Sequence, residues 1–291
     1  MRFLIIFLLI AFCGCKKEAA NPLSEHFEFG LEQEVDVSGY DDHIMEPFLS
    51  RDGKLLFFNN LNQPHVNTDL HYASMINDSV FQYMGTMKGA NSVSLDAVPS
   101  MDDSGNLYFV STRSYEQSLA SVYCGSFFRD TVKDIHIVQG LSKNMAGWVN
   151  FDIEVSKNGN ILFTVDGLFD ENGGPYESDL VVAVKNDSGF IRTGDGILEN
   201  INTGALEYGA CISADMLELY FTRLEIPMSL SSVPQIFLAT RKSIDEPFRN
   251  PYRIEEIAGF AEAPTISADG NILYYHKKVN EMHSLYMIRK K

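Results

Sequence analysis

The chain has few basic residues for its length. It contains 291 residues, with 23 Lys and Arg against 39 Asp and Glu, which gives a net charge of −16. A protein that binds nucleic acid needs a basic surface to meet the phosphates, and peripheral binding to anionic lipid needs one as well. The charge therefore argues against nucleic acid and against anionic headgroups as partners.

Cysteine is also scarce, and the motifs of several enzyme classes are missing. Four cysteines are too few for a disulfide scaffold or a Cys-rich zinc protein. The seven histidines include no His-Glu-x-x-His pair, and the chain has no Gly-x-Ser-x-Gly elbow and no phosphate-binding loop. These absences argue against a zinc hydrolase, a nucleophile-elbow hydrolase and a nucleotide-binding protein.

Long hydrophobic runs are absent as well, and the longest run lies at the N-terminus. Residues 1–15 read MRFLIIFLLIAFCGC, with Arg2 ahead of ten apolar residues. Ten residues are too few to span a bilayer, which takes about 20, but they suit a secretory signal peptide. Gly14 precedes Cys15, so the segment resembles a bacterial lipoprotein signal with Cys15 as the lipidated first residue. An ordinary cleaved signal or an uncleaved anchor is the alternative.

The residues after this signal indicate where the mature protein resides. The stretch 15–30 is polar, contains Pro22 and has no clear period, which is typical of a short tether. Acyl chains on Cys15 would hold the protein on a membrane, because each buried methylene contributes about 0.8 kcal/mol. We therefore expect a lipid-anchored protein of the bacterial cell envelope, on the periplasmic face or at the cell surface.

One pattern recurs five times in the rest of the chain. Each copy has an acidic start, a short apolar run that ends in Ser, a turn, and an apolar-aromatic run. The copies cover residues 46–60, 96–111, 152–166, 207–223 and 262–277. Each contains one anchor leucine, and these are Leu56, Leu107, Leu162, Leu219 and Leu273. Their spacings of 51, 55, 57 and 54 residues indicate a repeat architecture.

Each copy predicts a β-hairpin. Asp-Gly or Asn-Gly stands at the turn in copies one, three and five, and these pairs favour tight turns because Gly tolerates a positive φ. Copy four has Asp215-Met216 and lacks Gly, so we expect a different turn there. A third strand follows each hairpin, and a more polar fourth strand follows in the first four copies.

Four strands in about 55 residues form the unit of a β-propeller blade. The fifth copy ends at Lys291 after its third strand, while the segment 31–38 resembles a fourth strand. We expect this segment to complete the last blade and close the ring, which removes exposed sheet edges. The sequence therefore predicts an all-β, five-bladed propeller in one domain over 31–291, preceded by a signal peptide at 1–14 and the tether.

The repeats also bear on the cysteines and on the family. Cys124 and Cys211 fall in blades two and four, beyond disulfide reach, so we expect two buried free thiols. The segments EPFLSRDGKLLFF and EAPTISADGNILYY resemble the TolB-type propeller repeat, a WD-like motif centred on an Asp-Gly hairpin. This resemblance spans about 31–291 and implies the propeller fold. TolB-like repeats occur in periplasmic scaffolds, peptidase accessory domains and lipoproteins, and without the N-terminal domain of TolB a role in the Tol system is not implied.

The acidic residue that starts each copy is the first candidate for a functional site. The first strand of a propeller blade lines the central channel, so one carboxylate per blade would surround the mouth of that channel. These residues are Glu46, Asp96, Asp152, Glu207 and Glu262. Such a ring could raise some pKa values, bind a cation such as Ca²⁺, or supply an acid pair for glycoside cleavage. The alternative, which repetition in every blade favours, is that each acid stabilises its own strand.

Residues that break the repeat symmetry are the second candidate. Asp166, Arg223 and Lys277 stand four residues after their anchor leucines, and Arg113 lies near the equivalent place in blade two. Arg113 and Arg223 could hold a carboxylate or a sugar at the mouth, and pairing with the adjacent acids is the alternative. The oxygen-rich stretch 170–179 is another possible Ca²⁺ site, although it lacks EF-hand spacing.

Two functions are consistent with these features. The first is a binding or scaffold module that holds an envelope protein or a glycan on its mouth face, as a monomer. The second is a polysaccharide hydrolase or lyase that uses acids of the inner ring, which is an analogy at the level of fold. Two carboxylates about 5–10 Å apart in a deep pocket would favour the enzyme, and a flat face with exposed aromatic residues would favour binding.

Overall fold

The computed structural model describes residues 22–62, 67–227, 229 and 232–291. The predicted signal peptide (1–14) and the lipidation site Cys15 lie outside the described residues. Within those ranges the chain forms twenty-one β-strands, a four-residue helix α1 (Tyr115–Ser118) and a 3-10 turn at Asp195–Leu198. No described helix is long and apolar enough to cross a membrane. The prediction of an all-β fold is confirmed.

The strands form five sheets arranged as the blades of a propeller. Two short strands come first, β1 (Gln33–Glu34) and β2 (Asp36–Ser38). Blade one contains β3 (Met45–Leu49), β4 (Leu55–Asn59), β5 (Leu70–Asn77) and β6 (Val80–Thr86). Blade two contains β7 (Asp96–Met101), β8 (Asn106–Ser111), β9 (Val122–Phe128) and β10 (Thr131–Ile137). Blade three contains β11 (Trp148–Val155), β12 (Ile161–Asp170), β13 (Gly173–Asn186) and β14 (Gly189–Arg192). Blade four contains β15 (Leu206–Ile212), β16 (Glu218–Leu224), β17 (Gln235–Thr240) and β18 (Tyr252–Arg253), and blade five contains β19 (Ala261–Ile266), β20 (Ile272–Val279) and β21 (Met282–Arg289).

The N-terminal strands close the ring between the last blade and the first. Strand β1 pairs antiparallel with β21 and completes blade five, as predicted. The predicted strand 31–38 is divided, however, because β2 leaves blade five and pairs parallel with β6 of blade one. Val35 and Val37 are each 4% exposed and pack in the core between these blades. The segment is thus shared by two sheets, and its valines fill the interface that it closes.

The core lies between the blades. Five clusters of buried apolar side chains fill the five interfaces between neighbouring blades. Each cluster contains one anchor leucine, and all five leucines are fully buried. Burial of one leucine side chain contributes about 1.5–3 kcal/mol. The residue that marks the repeat in the sequence therefore also holds adjacent blades together.

The turns between first and second strands share a hydrogen bond from Ser to Asp or Asn in blades one, three, four and five. In blade one, Ser50 Oγ donates to Asp52 Oδ1 (2.7 Å), and Gly53 follows with a φ of 72°. Blade four has Met216 at this place, with a φ of 64°, and keeps the equivalent Ser–Asp bond (2.6 Å). The expectation of a different turn is wrong, because these bonds hold a non-glycine residue in the conformation that glycine adopts most easily.

Residues 22–30, which belong to the predicted tether, lie against blades four and five. The Ser24 N–H donates to the Asn250 carbonyl (3.1 Å), and the Phe27 N–H donates to the Tyr252 hydroxyl (2.8 Å). Phe29 is 1% exposed and packs in the core between these blades. Two alternating aromatic residues thus attach this stretch to the propeller before β1 begins.

Candidate functional site

The innermost strand of every blade has a β-bulge beside the central axis. Pairing with the second strand is interrupted for two residues, at 46–47, 98–99, 151–152, 209–210 and 263–264. Three of these bulges contain proline, namely Pro47, Pro99 and Pro264, which suits proline because it has no N–H to pair. Bulges redirect side chains, and members of all five bulges line a cavity on the axis.

The bulges divide the five predicted acids among different strand positions. Glu46 and Asp152 lie within the bulges of blades one and three. Glu262 directly precedes the bulge of blade five, and Asp96 and Glu207 lie two residues before the bulges of blades two and four. The repeat suggested one equivalent carboxylate per blade, and the structure instead separates axial acids from acids bound within their own blades.

Asp152 is held on the axis by backbone donors alone. The N–H of Ile153 donates to its Oδ1 (2.7 Å), and the N–H of Gly209 on blade four donates to its Oδ2. Burial raises the pKa of Asp152 to about 7, against these two hydrogen bonds, and the negative charges of Glu154 and Glu262 add to the rise. A carboxyl group with this pKa exchanges protons near neutrality.

Glu46 faces the same cavity from blade one. Its side chain is partly exposed, and none of the described residues donates a hydrogen bond to its carboxylate. Burial raises the pKa of Glu46 well above its ordinary value, and the nearby charges of Asp152 and Glu262 raise it further. Its backbone has a φ of 48°, a left-handed conformation that is uncommon outside glycine. The fold therefore accepts local strain where it presents this acid.

Both carboxylate oxygens of Glu262 have hydrogen-bond partners within the protein. The Tyr208 hydroxyl donates to Oε1, and His276 Nε2 lies 3.0 Å from Oε2. The backbone N–H of Glu46 donates to His276 Nδ1 (3.2 Å), which fixes the tautomer with the proton on Nε2 and makes that nitrogen the donor to Glu262. Blades one, four and five thus meet in one hydrogen-bonded network beside the cavity.

Asp96 and Glu207 form buried ion pairs with the two predicted arginines. Arg113 donates to Asp96, and Arg223 Nε donates to Glu207 Oε1 (2.7 Å). Both carboxylates have no exposed surface. Thr203 Oγ1 also donates to Glu207 (2.6 Å). The structure therefore shows the alternative that we weighed for these arginines, which is pairing with an adjacent acid of the same blade.

Asp166 and Lys277, the other two predicted residues, are paired as well. Asp166 accepts from Arg192 Nη1 (3.0 Å) and lies 3.3 Å from Lys143 Nζ. Lys277 Nζ lies 2.6 Å from a carboxylate oxygen of Glu32, just before β1. The Asp166–Arg192 and Lys277–Glu32 pairs each link two segments of one blade that are separated by a single strand. Their binding of an external ligand remains a prediction.

The axial cavity is small and closed at one end. Its volume is about 20 Å³, which is room for roughly one water molecule. On the side of the tight turns, Arg51 of blade one crosses the axis and donates to Glu154 of blade three (2.8 Å). Sequence reasoning missed this pair. The available signal was that Arg51 is the one arginine at this turn position and that Asp152-Ile-Glu154 places two acids on the same side of a strand.

Partly exposed aromatic side chains of blades three, four and five lie next to the bulge residues and the Glu262 network. The rings of Phe151 and Phe169 meet edge to face with centroids 5.5 Å apart, and Phe151 lies 6.0 Å from the Tyr208 ring. Phe260 approaches the His276 ring from blade five at 6.5 Å. The mouth therefore combines apolar ring surface with the unpartnered carboxylate of Glu46.

Neither of the suggested Ca²⁺ sites has a ligand set for a metal. Over the described ranges, no group of three or more His, Cys, Asp or Glu side chains is arranged to hold a metal ion. Most of the stretch 170–179 is strand rather than loop, since β12 and β13 form a long hairpin. Asp170 accepts from the Asn172 N–H (2.7 Å) and the Tyr176 hydroxyl (3.0 Å), so its oxygens serve the hairpin turn. Cys124 and Cys211 are free and buried, as predicted.

Comparison with known proteins supports the fold alone. No family model and no curated protein matches the chain. A solved structure described as a glycoside hydrolase has a TM-score of 0.58 at 12% identity, covering 91% of this chain and 92% of that one. An α-L-arabinofuranosidase from Podospora anserina, solved with cellotriose, has a TM-score of 0.54 at 12% identity, covering 92% and 98%.

TolB is also among the similar structures. TolB from Acinetobacter baumannii has a TM-score of 0.48 at 12% identity, covering 86% of this chain and 55% of that chain. The chain thus spans about half the length of that TolB. At such identities a common fold is consistent with different activities, so the function has to be argued from the site.

Proposed function

We propose that this chain is a glycan-binding propeller of the bacterial cell envelope, anchored through lipid on Cys15, with its ligand at the mouth of the axis. The observation that carries the proposal is the side-chain carboxyl group of Glu46, which lines the cavity and accepts no hydrogen bond from the residues that the structure describes. Asp96, Glu207 and Glu262 already receive side-chain donors from the protein. A sugar hydroxyl would supply Glu46 with the donor that it lacks.

The aromatic rings at the mouth support the same ligand class. Phe151, Tyr208 and Phe260 are each partly exposed. Their apolar faces can pack on the C–H faces of a sugar ring, while the phenol of Tyr208 and the carboxylate of Glu46 meet its hydroxyls. The charged residues nearby are engaged in internal pairs, which favours a neutral, hydroxylated ligand over a strongly charged one.

Glycoside cleavage is the second candidate, and one observation favours it. Asp152, with a pKa of about 7, lies close enough to Glu46 for their charges to interact, and a protonated acid beside a carboxylate is the pair that such cleavage uses. The axial cavity of about 20 Å³ has no room for a sugar ring between them. Binding at the mouth is therefore the better supported function.

Calorimetric titration with neutral oligosaccharides tests the proposal. The panel would contain cello-, xylo-, arabino- and galacto-oligosaccharides. At least one should bind the wild-type protein. Glu46→Gln should weaken that binding about tenfold or more, because it replaces a carboxyl oxygen by an amide NH2 and a polar group left unpaired on burial costs roughly 1–3 kcal/mol. The matched control is Glu171→Gln at the exposed tip of the β12–β13 hairpin, which should bind normally. Equal affinity of Glu46→Gln and wild type would overturn the assignment of this residue.

The same panel separates binding from cleavage. Release of new reducing ends would be followed after long incubation at pH 5, 7 and 9. A binding protein releases none. Release by the wild type that disappears in Asp152→Asn would establish the second candidate in place of the first.

A further inference from the structure

A second surface feature lies far from the mouth, between blades three and four on the side of the tight turns. It is a groove of about 630 Å³, within the range of roughly 300–1,000 Å³ that small-molecule sites occupy. Its wall is mainly apolar and includes Phe163, Val182, Val184, Ile197 and Met216. Met216 lies here because it replaces the turn glycine of the other blades, so the exception in the repeat adds apolar surface to the groove.

The groove also contains a buried cation that forms no ion pair with the described residues, although Asp245 and Glu199 line the same groove and the charge of Asp245 raises the pKa of Arg241 against the effect of burial. Arg241 lines it and is 4% exposed. Its Nε donates to the Met216 carbonyl (2.8 Å), its Nη1 donates to the Ile244 carbonyl (2.9 Å), and its guanidinium lies 4.4 Å from the centroid of the Phe248 ring. Within the described part of the chain, no carboxylate lies within ion-pair distance of Arg241, and Nη2 has no acceptor. A buried charge without a counter-charge is costly.

We propose that this groove binds a free long-chain fatty acid. The carboxylate would bind the unused side of the Arg241 guanidinium, and the alkyl chain would lie along the apolar wall. Arginine stays charged at every physiological pH and suits the geometry of a carboxylate. The ligand would thus supply the direct ion pair that Asp245, which acts on Arg241 only at longer range, does not form. It would also cover the exposed part of Val184, whose residue surface is 41% accessible.

Two other occupants are less compatible with these contacts. The Asn250 N–H donates to the carbonyl of Pro22 (3.2 Å), and Asn250 is three residues from Pro247, which lines the groove. The N-terminal segment of the chain is therefore within reach. Acyl groups attached to Cys15, however, have no free carboxylate for Arg241, and the apolar run 3–12 has no acidic residue.

Fluorescence titration with 11-(dansylamino)undecanoic acid tests the proposal. Protein lacking residues 1–14 and carrying Cys15→Ser retains every described residue, so the closed ring is intact. We expect saturable binding of one probe per chain, below the critical micelle concentration. Palmitate should displace the probe at least tenfold more effectively than 1-hexadecanol, which has the same chain length without the charge. Equal displacement by the two, or no saturable binding, overturns the proposal.

Variants locate the binding site and distinguish it from nonspecific binding of the probe to apolar surface. Arg241→Met should abolish the preference for palmitate over hexadecanol, while Arg241→Lys should keep part of it. Val184→Glu should weaken probe binding at least tenfold, whereas Ile76→Glu should not, because Ile76 is an exposed apolar residue of blade one and does not line the groove. Thermal midpoints confirm that each variant folds, and the exposed position of Val184 provides a test even if Arg241→Met does not fold.

The chain length decides between the ligand and the protein's own N-terminus. If protein starting at residue 22 binds the probe and the longer form does not, the groove belongs to the N-terminal segment and the proposal fails. Equal binding by both forms, with unchanged preference for palmitate, supports it. These outcomes do not depend on whether the mouth binds glycans.

Discussion

Asp152 and Glu154 stand two residues apart on β11, line the same axial cavity, and are 5% and 3% exposed. Their surroundings differ completely. Glu154 accepts from Arg51 Nη2 (2.8 Å), from Ser100 Oγ (2.8 Å) and from the Ile212 N–H (3.3 Å), which come from blades one, two and four. Asp152 receives two backbone N–H groups and no cation.

The difference shows what decides the role of a buried acid on this axis. Arg51, a cation from another blade, pairs with Glu154 and closes the channel. Glu154 thereby links four blades through its hydrogen bonds. Where no cation is present, burial shifts the carboxyl group of Asp152 toward its protonated form, and its neighbour Glu46 stays without a donor. The two ends of one short strand segment therefore differ, because Glu154 links blades together and Asp152 lies in the axial cavity close to Glu46.

The largest expected effect comes from removing the ion pair between Arg51 and Glu154. Arg51→Met should leave Glu154 buried without its cation and lower the free energy of unfolding by about 3–5 kcal/mol, as removal of one partner from a buried pair does. Urea unfolding followed by Trp148 fluorescence measures it. Lys54→Met, at the same turn, removes only an exposed pair with Asp52 and should cost no more than about 1 kcal/mol. Similar losses of unfolding free energy in the two variants would show that the axial ion pair does not stabilise the ring.

A smaller effect should appear in the pH dependence of stability, and it concerns Asp152. Its pKa is about 7 in the folded protein and about 3.9 in an unfolded chain. Between about pH 4 and pH 7 the folded state therefore binds a proton that the unfolded state has lost, so this group makes stability fall as pH rises.

Asp152→Asn should remove that contribution. The fall amounts to at most about 1.4 kcal/mol per pH unit, and it should be complete above about pH 7. Urea unfolding at pH 4.5, 6 and 7.5 gives the slopes. The exposed control Glu171→Gln should retain the wild-type slope. An equally steep slope in Asp152→Asn would contradict the shifted pKa.

The smallest effect concerns the strain of the bulges themselves. Ala263 has a φ of 50°, and the corresponding Gly209 of blade four has a φ of 60°. A left-handed conformation costs a non-glycine residue about 1–2 kcal/mol, while glycine loses about 0.5–1 kcal/mol in chain entropy. Ala263→Gly should therefore raise the free energy of unfolding by at most about 1 kcal/mol, measured by calorimetry. A clear loss of stability would mean that the Ala263 methyl group matters more than the strain.

Local patterns predicted the parts of the fold that depend on local physics. The hairpins and the anchor leucines follow from turn residues and alternating apolar side chains, which act over fewer than twenty residues. The division of the segment 31–38 was not predictable in this way. Val35 and Val37 have the same alternation in either blade, and only the meeting of two sheets decides where pairing changes.

The five acids at the starts of the repeat copies show that matching positions in a repeat need not be equivalent in the structure. The five start acids precede their anchor leucines by 10, 11, 10, 12 and 11 residues in chain order. The two with a spacing of 10 are Glu46 and Asp152, and these are the two that lie in bulges. The distinction was therefore present as a one- or two-residue difference in spacing. For the pair of Arg51 and Glu154, 103 positions apart, the sequence marks each residue as unusual at its own position, but no spacing connects the two.

The N-terminal stretch described above also has a mechanical consequence. Before the first hairpin begins, the chain bonds successively to blade four through Ser24, to blade five through β1 and to blade one through β2. A pulling force applied at the N-terminus would act first on the contacts of residues 22–29 and reach the closing strands only after those contacts had failed. Residues 22–29 therefore protect the closing strands β1 and β2 from a force applied at the N-terminus.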